Sequence, residues 1–136
     1  MTFKFDREER YEFAYCYPYT YSCLQNFISG LPAEVVQRSI IGQTLQKRNM
    51  DLLSIGDGPK TVIIMSRVHP GETPASFIME GFLDFVSNVD CELASFLRSK
   101  IKMKIVPMLN PGLLFIPFYK LINSKMGSRL EIIVVR

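Results

Sequence analysis

Val62-Ile63-Ile64-Met65-Ser66-Arg67-Val68-His69-Pro70-Gly71-Glu72-Thr73-Pro74 passes from an apolar run into a turn and then into a helical pattern. Four apolar side chains in succession, without alternation, are what a strand buried on both faces presents. Pro70 and Gly71 force a turn after it. Pro74 suits the first turn of a helix, where its missing N–H costs nothing. The turn holds His69, the single histidine of the 136 residues, with Glu72 three positions on. A histidine and a glutamate at the mouth of one strand-to-helix turn can face the same point in space.

Working outward, Phe77, Ile78, Phe82, Phe85 and Val86 recur at helical spacing and mark the expected buried face of a helix from Pro74. Asp90 is the expected cap of a second helix that carries Leu93, Phe96 and Leu97 inward. Ile101 to Met108 reads as a strand, closed by Asn110-Pro111-Gly112. The order strand 61–67, helices 74–98, strand 101–108 is a crossover unit with room for parallel pairing, and the class is α/β.

Upstream, Gly56-Asp57-Gly58-Pro59 is a breaker. Ser39 to Gln46 and Asp51 to Ile55 read as two strands around a turn at Arg48-Asn49. Thr20 is the expected N-cap of a short helix with Leu24, Phe27 and Ile28 inward, ended by Gly30 and Pro32. Phe3, Phe5, Tyr11, Phe13 and Tyr15 alternate on either side of the charged segment Asp6 to Arg10, the period of two strands joined by a turn.

Composition narrows the function classes. Apolar residues make up 48% and charged residues 21%, ordinary for a globular domain. The net charge of +3 is small and its basic residues are interspersed with acidic ones, so no nucleic-acid partner is expected. The charged N-terminus lacks the apolar core of a signal peptide. Leu113 to Leu121 is apolar but too short to span a bilayer, and Pro117 interrupts it. A cytoplasmic location without membrane attachment is the expectation. Cys16, Cys23 and Cys91 form no CxxC pair and read as free, buried, inert thiols, although Cys16 and Cys23 could join His69 on a metal.

Two readings of His69 and Glu72 compete. Zinc accepts neutral imidazole and carboxylate, and its catalytic sites use three protein ligands with one open position. The plainer reading is a His–Glu hydrogen bond capping the helix at Pro74, with Glu72 favourable near the positive end of the dipole. An acidic residue three positions after a histidine arises by composition about once in eight, so spacing alone favours the cap. No Gly-x-Ser-x-Gly elbow surrounds a serine, Ser66 included, and Gly56 and Gly58 are not followed by the Lys-Ser/Thr of a phosphate loop.

Longer blocks carry a resemblance. Phe13-Ala14-Tyr15-Cys16-Tyr17-Pro18-Tyr19-Thr20-Tyr21-Ser22 resembles the entry to the catalytic domain of the cytosolic carboxypeptidases, zinc peptidases that trim glutamates from tubulin tails. Ser66 to Pro74, continuing through Gly81-Phe82-Leu83-Asp84-Phe85, resembles their metal-binding segment. Leu97-Arg98 and Lys104-Ile105-Val106-Pro107-Met108-Leu109-Asn110-Pro111 resemble the blocks that follow. The resemblance implies that His69 and Glu72 are two ligands of one zinc ion. It implies a partial carboxypeptidase-like mixed sheet with helices over residues 17–111, preceded by the end of a small β domain in residues 1–16. It also implies glutamate-rich protein tails, tubulin among them, as partners.

Residues 112–136 depart from that pattern. Gly112-Leu113-Leu114-Phe115-Ile116-Pro117-Phe118-Tyr119 stands where the family continues with Asp-Gly and a block of asparagine and arginines. Arg129 lies outside the arginine motif and takes no role from it. The family's third ligand, a histidine, and its general-base glutamate lie farther on, so no catalytic residue is assigned within these 136. The expectation is a zinc metallocarboxypeptidase sequence cut short after Pro111 and inactive alone. The alternative is a non-enzymatic interaction protein derived from the same fold, using exposed edges and the β-prone Leu130-Glu131-Ile132-Ile133-Val134-Val135.

Overall fold

The computed structural model describes residue 4 and residues 6–8, 10–12, 14–111 and 130–135. The readings placed on Phe3, Phe5, Phe13, the Leu113–Leu121 run and Arg129 lie outside them. The described residues from 4 to 19 form neither helix nor strand.

Helix α1, Tyr21–Ser29, starts where its cap predicts: the Thr20 hydroxyl accepts from the Cys23 N–H. It buries Leu24 and Ile28. Strands β1 (Val36–Gln43) and β2 (Asn49–Ile55) form an antiparallel hairpin. The hairpin turn falls at 44–48, a few residues before Arg48-Asn49, because Lys47 takes φ 59° and the Thr44 N–H and carbonyl close it on Arg48 and Lys47. Then come β3 (Lys60–Ser66), α2 (Pro74–Ser87), α3 (Glu92–Lys100), β4 (Ile101–Val106) and β5 (Leu130–Val135).

The five strands lie in the order β1-β2-β4-β3-β5. Strands β3 and β4 are parallel, as a crossover through α2 and α3 requires, and β5 is parallel to β3 on its other side. The segment read as a β-prone tail is therefore a strand of the chain's own sheet. Strand β3 is central, which is why Val62 to Ser66 are all buried. Val62 and Ile64 join the main core with Leu53, Ile55, Met103 and Ile105, covered by Leu24, Ile28, Met79, Leu83 and Val86 of the helices. Ile63, Met65 and Val106 form a second cluster on the opposite face, with Ile41, Leu52 and Leu109 packed against it.

The buried face of α2 is Ala75, Met79, Leu83 and Val86, and this corrects the sequence reading. Phe77, Ile78 and Phe85 are exposed, with Phe82 partly buried. The helix is apolar on two sides, and the side with Ala75 lets its backbone approach the sheet. Tyr17 and Tyr19 meet Phe77 edge to face instead, with ring centroids 6.1 and 5.2 Å away. In α3 the buried residue is Ala94, while Leu93 and Phe96 are exposed and Leu97 packs at the core's margin. Cys91, not Asp90, is the N-cap, and it makes no side-chain hydrogen bond. No helix among the described residues is long and apolar enough to cross a membrane.

Candidate functional site

Parallel β3 and β4 end together, with Met65 opposite Val106, and the loops that follow them meet at one edge of the sheet. The Leu109 N–H donates to the Ser66 carbonyl at 2.9 Å and the Asn110 N–H to the Arg67 carbonyl at 3.1 Å. Ser66 is fully buried and its hydroxyl donates to the Ala75 carbonyl at 3.0 Å, tying the strand end to α2. Its role is structural. In open α/β sheets this carboxyl edge is where ligands bind.

Arg67 turns the chain with φ 52°, a conformation a long side chain keeps only when its surroundings hold it. The residue is 8% exposed. Its Nη2 donates to the Pro70 carbonyl at 2.6 Å and its Nη1 to the Ser76 hydroxyl at 3.1 Å, while Nε is buried without a partner. Desolvation pulls the guanidinium below the usual arginine range, opposed by Cys16 and Tyr19.

His69 is exposed and Glu72 half-buried, in the turn that Arg67 opens. The Glu72 N–H donates to the His69 carbonyl at 3.1 Å, and the Ala75 N–H to the Glu72 carbonyl at 3.1 Å. The Glu72 Oε2 atom is buried with no hydrogen-bond partner. A carboxylate oxygen left this way costs a few kcal/mol, about 1–3 or more for a charged group, unless a cation or donor reaches it. The helix-cap reading required a bond between the two side chains. None is present among the described hydrogen bonds, and Thr73, the N-cap of α2, makes no side-chain bond either.

An exposed imidazole and, in the same turn, a carboxylate oxygen without a partner are donor types that zinc accepts. Among the described residues no group of three or more histidine, cysteine, aspartate or glutamate side chains gathers to hold a metal. The cysteines do not supply the missing ligand. All three are free, and none is buried as expected: Cys23 is exposed, and Cys16 and Cys91 are partly exposed. Cys23 sits on the first turn of α1, where hydrogen bonds from Thr20 pull its thiol below the usual range.

Beside the turn opens a cleft of about 450 Å³, with Tyr19, Tyr21, Arg48, Arg67, Pro70 and Asn110 in its wall. Neither Arg67 nor Arg48 was marked by sequence. An arginine just past an apolar run reads as a solvated residue, whereas here it takes a positive φ and is buried. The Asp51 network was missed because its partners, Gln25 and Arg38, come from other elements far along the chain. Asp51 is 2% exposed and accepts from Gln25 Nε2 at 2.7 Å and Arg38 Nε at 2.8 Å.

Residues 20–112 match the family model described as zinc carboxypeptidase. The chain belongs to the zinc carboxypeptidase family. Among curated proteins it is 42% identical to human cytosolic carboxypeptidase 6, over 96% of this chain and 28% of that protein. It is 37% identical to the Caenorhabditis elegans cytosolic carboxypeptidase 6, over 96% of this chain and 30% of the other. It is 39% identical to mouse cytosolic carboxypeptidase 3, over 88% of this chain and 13% of that one. The chain thus spans less than a third of the length of these relatives. A metallo-carboxypeptidase of Burkholderia cenocepacia shares the fold with TM-score 0.62 and 28% identity, over 69% of this chain and 27% of that one. The Pseudomonas aeruginosa metallo-carboxypeptidase complexed with (2-guanidinoethylmercapto)succinic acid gives 0.61 and 27%, over 69% and 26%. The cytosolic carboxypeptidase resemblance read from the blocks at 13–22, 66–85 and 97–111 agrees with these relatives, as does the mixed α/β sheet.

Proposed function

We infer that His69 and Glu72 are two protein ligands of a zinc ion in a metallocarboxypeptidase that removes glutamate from the C-terminal or branched tails of proteins, tubulin among them. The observation that carries this reading is the buried, unpartnered Oε2 of Glu72 in the same turn as the chain's one histidine. Family membership gives the metal, and the relatives' name supports a cytosolic setting.

When bound, zinc would lower the pKa of a water and polarise the carbonyl to be cleaved. The chain's own part is to hold the ligands. Ser66 anchors the strand end, the 107–110 loop closes over it, and α2 begins directly behind Glu72. Among the described residues no third histidine, cysteine or carboxylate gathers with His69 and Glu72, so on this reading the described residues alone do not complete a catalytic site. On this reading residues 17–111 are the start of the carboxypeptidase-like domain, with 1–16 before it and 112–136 the part that diverges in sequence.

Sequencing the message across the codons for Asn110 to Arg136 tests this reading. An in-frame continuation to a further histidine and an arginine block is expected, and its product should release glutamate from a Glu-tailed peptide in a chelator-sensitive way. Termination after Arg136, or release of uncharged C-terminal residues in preference to glutamate, would contradict it.

A further inference from the structure

We propose that Arg67 is a positioning residue for the zinc-ligand turn, holding His69 and Glu72 in place through the Pro70 carbonyl and the Ser76 hydroxyl. This rests on the reading of His69 and Glu72 as ligands. Between the end of β3 and the start of α2 the chain makes no helix or strand, and His69, Pro70 and Gly71 are exposed. Packing does not fix them: a Cβ built on Gly71 would meet nothing within 4 Å. The Ser66 hydroxyl bridges the turn's two ends, to Ala75, but it is the Arg67 guanidinium that also reaches the turn itself, with Nη2 on Pro70 and Nη1 on Ser76 of the first turn of α2.

The planar fork matters. It binds two acceptors at once from a fixed geometry, which an ammonium on a flexible stem does not do. Its cost is also visible. The cation is buried on neutral acceptors, its Nε unsatisfied, and the backbone that delivers it lies at φ 52°. Strained, desolvated groups of this kind persist where the surroundings demand one geometry. Groups outside the ligand set that orient metal ligands typically change metal affinity by about 10- to 100-fold when removed.

The test is a Co2+ titration of the 136-residue chain carrying 15N-labelled histidine, following paramagnetic broadening of the His69 imidazole, with amide spectra and melting temperature in parallel. Arg67→Met should weaken Co2+ binding by roughly 10-fold or more, and Arg67→Lys should recover only part of it. A folded Arg67→Met chain with lowered melting temperature but unchanged Co2+ affinity would reduce Arg67 to a structural role and overturn the proposal. Where Arg67→Met does not fold, Ser76→Ala decides, since it removes one acceptor only. Weaker binding supports the proposal and native affinity overturns it. Absence of broadening at His69 in the native chain would instead overturn the ligand reading, and this proposal with it.

Discussion

Tyr19 shows how a single residue couples the site's surroundings to pH. It is 7% exposed, and its hydroxyl donates to Glu80 Oε1 at 2.5 Å across the first turns of α2. Burial first, and the Glu80 carboxylate second, raise its pKa well above the ordinary phenol value. A raised folded-state pKa means the stabilisation is complete below the unfolded value, about pH 10, and is lost as pH climbs beyond it. The native chain should lose stability in that alkaline window, and Tyr19→Phe should lose less there. At neutral pH the variant should be destabilised by about 1–2 kcal/mol for the missing charge-assisted bond. Urea melts at two pH values check both signs; equal alkaline slopes in the two proteins would refute the assignment. Tyr21 is shifted in the same direction, so the slope should shrink rather than vanish. Cys23 gives a second residue-scale test. Exposed, with its thiol lowered by Thr20, it should alkylate with iodoacetamide at a lower pH in the native chain than in Thr20→Ala, and equal pH profiles would refute this.

Among the elements, the joint between α3 and its neighbours leaves little room for change. Arg98 Nη1 donates to the Val86 and Asn88 carbonyls at 2.8 and 3.0 Å, closing the C-terminal end of α2 from α3. The loop before β3 presses on the same joint. Gly56 sits at φ 81°, and a Cβ on Gly58 would lie 2.0 Å from the Lys100 carbonyl carbon. That neighbour is backbone and cannot swing aside. Gly58→Ala should therefore cost about 1–3 kcal/mol, as overpacking does, while Gly71→Ala, in open space, should cost far less. Chemical denaturation of the two variants separates them, and equal losses would show that the close approach is not real.

Legibility differed between elements for physical reasons. Capping residues, breakers and the apolar run of β3 act locally, so α1, β3, β4 and the parallel crossover could be read directly. The face of α2 could not. Its sequence offers apolar residues on both sides, aromatic at Phe77 and Phe85 and aliphatic at Ala75 and Met79, and what chooses between them is the distance to the sheet, which is not local. The same limit applies to the site. His69 and Glu72 stand out by residue type, whereas Arg67 matters through a positive φ and a burial that no spacing announces.

At the scale of the whole molecule, the sheet is organised so that its centre delivers the site. β3 is flanked by β4 and β5 and buried on both faces, so its carboxyl end is a rigid base for the turn. The far side of the sheet depends on Asp51, where Arg38, Gln25 and a buried carboxylate lock the hairpin to α1. Removing charge there by Asp51→Asn should cost about 2 kcal/mol, moderated because Arg38 is partly exposed and can be resolvated. It should leave the metal binding proposed at His69 unchanged, because the network stands on α1, β1 and β2 and not on the turn.

The measurement that bears most directly on the central claim is a Zn2+ titration of the native chain beside His69→Ala and Glu72→Gln, read by equilibrium dialysis. One zinc per chain is expected for the native protein, with binding weakened by at least 10-fold in each variant. Zinc bound equally by all three proteins, or by none, would show that this turn is not a metal site.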